Sequence, residues 1–103
     1  MRLDWTSEAL TQWESAVDWG FQFSKQQVRD AHLLYTEMTK QAKGGFTGLG
    51  VQTTNPGERY RSFGTLGCFY RVDLQRNCLL VVEVVALRTQ LGSSNVMRAR
   101  PAQ

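Results

Sequence analysis

Histidine, cysteine and proline are scarce in this chain: one, two and two among 103 residues. His32, Cys68 and Cys78 are too few and too scattered for a zinc site, so no metal is expected. Nor is a disulfide. If the strands carrying the cysteines are joined by a short turn at Leu74 to Asn77, Cys68 lies opposite a residue near Glu83 and not opposite Cys78, whereas a bridge needs Cα atoms within about 7 Å. Both cysteines are read as reduced, buried small hydrophobes. Long apolar runs are missing too. Nothing approaches the roughly 20 residues needed to cross a bilayer, and Met1 to Trp5 lacks the cationic start and apolar stretch of a secretory signal. A cytoplasmic protein with no membrane association is expected. Lysine is absent from the second half: residues 52–103 hold seven arginines against Glu58, Asp73 and Glu83, giving +4, while residues 1–51 hold five basic and six acidic groups, giving −1. Arginine is the side chain suited to bidentate phosphate contact and to stacking, so the second half points to an anionic partner.

What is present is one domain's worth of chain. At 103 residues, 42% hydrophobic and 20% charged, the sequence fits a single soluble core. MRLDW (Met1 to Trp5) alternates weakly as a short strand and ends at the capping candidates Thr6 and Ser7. Ala9, Leu10, Trp13, Ala16 and Val17 recur at helical spacing until Gly20. Ser24 and Gln27 have capping-box spacing and open a second helix. Val28, Ala31, Tyr35, Met38 and Ala42 form its stripe, with His32 at the margin and partly buried, and Gly44-Gly45 as its stop. The glycines between Gly44 and Gly57 have neither Walker spacing nor a following helix, so no phosphate loop and no cofactor are expected. Three strand candidates follow, Glu58 to Phe63, Cys68 to Leu74 and Cys78 to Leu87, in an antiparallel meander. CLLVVEVVAL is too apolar for an edge and is read as central. The expectation is an α+β domain over 1–90, with a helical hairpin on one face of a small antiparallel sheet, and a mobile tail over 91–103.

The other face of that sheet carries the functional candidates. A two-residue loop at Thr65-Leu66 places Tyr60 opposite Arg71 and Arg61 opposite Tyr70. Setting Asp73 opposite Cys78 then puts Tyr60, Phe69, Arg71 and Arg88 on the open face, and Cys68, Tyr70, Val72, Val81 and Val85 under the helices. Rings interleaved with guanidinium groups are how a protein grips single-stranded nucleic acid, and the same face suits an acidic protein segment. Proton carriers are few. His32 is read as structural, Glu83 as a carboxylate paired with a nearby arginine such as Arg59 or Arg61, and Tyr60 as a stacking platform or relay. Trp13 is read as core, and Trp19, beside Gly20, as a candidate partner contact.

The element order, WTSEAL (Trp5 to Leu10), ERYRSFG-TLG-CFYRVD and LLVVEVVALR together resemble the RelE/ParE toxin superfamily of bacterial toxin–antitoxin systems. The resemblance covers roughly residues 1–90. It implies a helical hairpin on a curved antiparallel sheet and neutralisation by a cognate antitoxin protein. It implies first an endoribonuclease cutting messenger RNA on the ribosome and, as the alternative, a non-enzymatic toxin that inhibits DNA gyrase. A non-toxic interaction module on the same scaffold is a third reading. By analogy with the RelE-like nucleases, Arg71, Arg88 and Arg61 are the catalytic candidates, and Arg59, Tyr60 and Phe69 the substrate-binding ones. The stretch after Arg88, TQLGSSN, has no tyrosine or histidine where those nucleases place an aromatic.

Overall fold

Two hydroxyl groups start the two helices. In the computed structural model, which describes residues 1–44 and 50–87, Thr6 Oγ1 accepts from the Ala9 amide at 3.0 Å to begin α1 (Ser7–Phe23). Ser24 Oγ accepts from the Gln27 amide at 3.2 Å to begin α2 (Lys25–Lys43). Each satisfies an amide that a helix start leaves without an internal partner. The return half of the capping box is not formed. Gln27 is fully buried, and its Nε2 donates at 2.7 Å to the Ala16 carbonyl, tying α2 to α1 instead. Helix α1 also runs through Gly20 instead of stopping there. A Cβ at Gly20 would come within 2.9 Å of Val28 Cγ2, so this glycine serves close approach of the helices.

The strands are β1 (Arg2–Trp5), β2 (Val51–Gln52), β3 (Glu58–Phe63), β4 (Leu66–Asp73) and β5 (Cys78–Ala86), in the sheet order β1-β5-β4-β3-β2. The apolar β5 is interior, as its composition predicts. The sheet is mixed and not wholly antiparallel, because β1 runs parallel to β5, with Arg2 opposite Cys78 and Trp5 opposite Val81. No tight turn joins these two strands, so nothing in the connection imposes the antiparallel direction.

The helical hairpin covers one face. Its core joins Ala9, Ala16, Ala31, Leu34, Met38 and Ala42 to Phe63, Leu66, Cys68, Tyr70, Leu79, Val81 and Val84. The buried stripe of α2 is rotated from the expected one: Gln27, Asp30 and Leu34 point inward, Tyr35 is half exposed, and His32 is exposed and not partly buried. Two polar groups with partners inside the fold cause the rotation. Gln27 bonds to α1, and Asp30 Oδ2 accepts from both the amide and the hydroxyl of Thr65 at 2.8 Å. Both cysteines are free and buried, as expected.

Strand register departs from expectation twice. The β3–β4 turn is Gly64-Thr65, flanked by Phe63 opposite Leu66. Gly64 takes φ +63°, at the first central position where a II′ hairpin uses glycine, and Leu66 enters the core instead of staying in the turn. Tyr60 therefore faces Phe69, not Arg71, and Arg61 faces Cys68, not Tyr70. The second departure is a bulge in β5. Phe69 is opposite Glu83 and Tyr70 opposite Val81, leaving Val82 as the extra residue. Val84 thus replaces the expected Val85 in the core, and Glu83 moves from the helix side to the open face.

Candidate functional site on the open face of the sheet

Pairing across the ladders assigns Glu58, Tyr60, Phe69, Arg71, Leu80 and Glu83 to the face away from the helices. Glu58, at the end of β3, is buried, and its Oε1 accepts from Thr53 Oγ1 at 3.0 Å and Asn55 Nδ2 at 3.2 Å. This carboxylate fixes the Asn55-Pro56-Gly57 loop. Tyr60 and Phe69 form a tilted ring pair with centroids 4.8 Å apart, and they are only 3% and 0% exposed. Tyr60 lies across Gly67, where an added Cβ would fall 2.5 Å from its hydroxyl oxygen. That hydroxyl is buried and has no hydrogen-bond partner among the described residues. Burial, with a smaller contribution from Cys68, raises its pKa above the ordinary tyrosine value, so the phenol stays protonated at neutral pH. In this conformation neither ring offers a free face for a base.

Arg71 is different. It is exposed, stands opposite Glu58 and Leu80, and makes no ion pair with another described residue. With Asp73, Leu74, Gln75 and Leu80 it lines a shallow depression of about 460 Å³. Arg59 and Arg61 do not join it. They pair with Tyr70 and Cys68, which places them on the helix-side face, beyond the edge of the core. Arg59 Nη1 donates to the Gly50 carbonyl at 3.0 Å, and the Arg61 guanidinium sits 4.9 Å from the centre of the Phe63 ring. Beneath them the Tyr70 phenol is pushed up to about 12, by burial first and Cys68 second, with Arg59 and Arg61 opposing. The structure thus brings Tyr60, Phe69 and Arg71 to one face and separates Arg59 and Arg61 from them. Arg88, the remaining candidate, and the expected tail lie outside the described residues.

A charged cluster at the lower end of the open face escaped the sequence reading. Asp4 Oδ2 lies 2.9 Å from Arg2 Nε and 3.7 Å from Arg76 Nη2, and the Arg76 amide donates to Asp73 Oδ1 at 3.1 Å. Cys78 sits between Arg2 and Asp73 in the ladder. Its thiol is raised by burial first and then by Asp4 and Asp73, which keeps it protonated. Only the parallel β1–β5 pairing assembles this group, and no local periodicity announces it. Among the described residues no three His, Cys, Asp or Glu side chains could hold a metal ion. Among the described residues no helix is long and apolar enough to cross a membrane.

The architecture has counterparts among solved structures. The chain superposes on one from the chromosomal ParDE TA system of P. aeruginosa with a TM-score of 0.64 and 15% identity, over 85% of this chain and 97% of the other. It superposes on the isolated E. coli RelE toxin with a TM-score of 0.60 and 17% identity, over 95% and 97%. At these identities the likeness is one of fold, and it is the RelE/ParE fold that the sequence resembles. No protein-family profile and no curated protein sequence matches the chain.

Proposed function

We propose that this protein is the toxin of a toxin–antitoxin pair, neutralised by a cognate antitoxin protein, and that it acts by binding a protein target of the DNA gyrase type in the cytoplasm. The fold shared with the ParDE and RelE chains supports the toxin assignment. One observation carries the choice of target: the arginines diverge. RNA cleavage through a 2′-hydroxyl needs a group to take a proton, a group to give one, and cations converging on the phosphorane. Arg71 and the pair Arg59 and Arg61 lie on opposite faces of one sheet, so they cannot serve the same phosphate. The ring pair that would stack bases is buried, and His32 belongs to the helix layer. Binding a protein asks less. It needs an exposed, shaped, charged surface, and Arg71 with its depression supplies one.

The second reading, a ribosome-dependent messenger RNA endoribonuclease, draws on Arg71 standing beside Tyr60 and Phe69. It requires the site to be completed by residues beyond position 87, Arg88 first among them.

Purified protein added to a gyrase supercoiling assay decides between them. The expected result is inhibition at near-stoichiometric toxin, weakened about tenfold by Arg71→Ala with no loss of fold. Unimpaired supercoiling, together with translation-dependent cuts in cellular transcripts after induction, would establish the nuclease instead. Growth unaffected by induction would remove the toxin assignment altogether.

A further inference from the structure

Strand β1 stops at Trp5, opposite Val81, whereas β5 runs on to Ala86. Among the described residues, the side of β5 that β1 covers is therefore without a strand neighbour from Val82 onward. Helix α1 passes beside it and leaves a cleft of about 240 Å³ lined by Thr11, Gln12, Ser15, Trp19, Val84 and Ala86. In this cleft a side chain takes the place of a strand. Gln12 Oε1 accepts from the Val84 amide at 2.7 Å, as the carbonyl of a neighbouring strand would, and Gln12 Nε2 donates to Glu8 Oε1 at 3.3 Å. Val85 and Leu87 face the other way: Val85 pairs with Gly67 of β4, and the Leu87 amide donates to the Thr65 carbonyl at 2.7 Å. Strand alternation then aims the Val84 carbonyl and both backbone groups of Ala86 into the cleft. No hydrogen bond from another described residue meets them there.

An edge of this kind is a template for an added strand. The surrounding charge selects what would add. Glu8, bonded to Gln12, lies on the cleft side of α1, the helix holds no lysine or arginine, and no described cation forms an ion pair with Glu8. We propose that this edge of β5 docks an extended, basic segment of a partner protein. The segment pairs with Val84 and Ala86, sets a lysine or arginine against Glu8, and displaces the Gln12 amide with a peptide carbonyl. The site lies on the far side of β5 from Arg71 and does not depend on the toxin assignment.

The test is a nuclear magnetic resonance titration of the full-length, ¹⁵N-labelled protein with an acetylated and amidated peptide alternating valine and lysine between terminal threonines. Saturable shifts are expected at Val84, Ala86 and the Thr11 to Trp19 side of α1. The same peptide with glutamate for lysine should bind about tenfold more weakly. Ala86→Pro removes an N–H that faces the cleft and leaves the Val85 and Leu87 bonds to the β4 side intact, so it should melt like the parent and bind about tenfold more weakly. Glu8→Lys, a surface change, should reverse the preference between the two peptides, and Gln12→Ala should tighten binding severalfold. Shifts confined to other surfaces, equal affinity for the two peptides, or no saturation at millimolar peptide would overturn the proposal. So would a peptide-free dimer that Ala86→Pro dissociates, because a second copy would then be the occupant.

Discussion

Under the helices, Leu66, Cys68, Tyr70, Leu79, Val81 and Val84 are all less than 5% exposed, and each lies on the side that a packed sheet requires. The opposite face of the same strands places a buried ring pair beside an exposed arginine, and a carboxylate at Glu83 in the most apolar strand. The covered face is determined by bulk, since many apolar side chains agree on which way to point. The open face is determined by two local events, the Gly64-Thr65 turn and the extra residue at Val82, which decide where each polar group goes. A face fixed by consensus tolerates single changes. A face fixed by one inserted residue does not.

Undoing what that residue does should have the largest effect. Exchanging two neighbours, Glu83→Val with Val84→Glu, places the carboxylate opposite Cys68 under the helices, where an even ladder would set Glu83, and a valine opposite Phe69. Burying an unpaired carboxylate in place of a core valine costs more than about 4 kcal/mol, close to the whole stability of a small domain. The exchange should therefore abolish the cooperative urea transition, and a variant that unfolds like the parent would show that the bulge does not set the faces.

The covered side has its own polar dependency at Asp30, and Asp30→Ala should cost about 2–3 kcal/mol by leaving the Thr65 amide unmet. The effect depends on pH. Burial pushes the Asp30 carboxyl up, but the amide and hydroxyl of Thr65, the Gln26 side chain and nearby Arg29 outweigh it, so the net pKa is lowered. A carboxyl lowered on folding contributes its stability above its unfolded value, near 4, and loses it as pH falls through the folded value. The gap between parent and variant in urea should be full at pH 7 and shrink below pH 4; a gap that holds at pH 2 would assign the loss to packing.

The smallest effect is expected on the open face. Tyr60→Phe removes a buried hydroxyl without a described partner and should leave stability unchanged or raise it by up to about 1 kcal/mol. A clear loss in the melting temperature would mean that the phenol is satisfied in solution.

The same contrast explains how much could be read from the residues alone. Helix positions, the interior placement of CLLVVEVVAL and the layer order follow from periodicity and composition, and these are the features that many residues vote on. Register is different. Thr65-Leu66 and Gly64-Thr65 are both sensible two-residue turns, and the choice rests on Asp30, 35 residues away, receiving the Thr65 amide. The bulge leaves no mark in a run of valines, so an even ladder would set Glu83 and Val85 under the helices, whereas the bulge turns both to the open face. Arg59, Arg61 and Arg71 all sit at odd positions, and either two-residue turn sets Arg71 on the face opposite Arg59 and Arg61, so the choice of turn decides only which residues are neighbours. The rotation of α2 was hidden because Gln27 and Asp30 read as surface residues until their partners are known.

The pairing of β1 with β5 also bears on when the molecule can come into being. Strand β1 leaves the ribosome ahead of its neighbour, which exists only after Cys78 to Val81 have been made, and Met1 meanwhile can hold the Ala42 carbonyl. Synthesis must therefore run nearly to the end of the domain before its two ends can be joined, and such distant joining is slow for a chain of this size. A growing chain is in effect unassembled until late in its production.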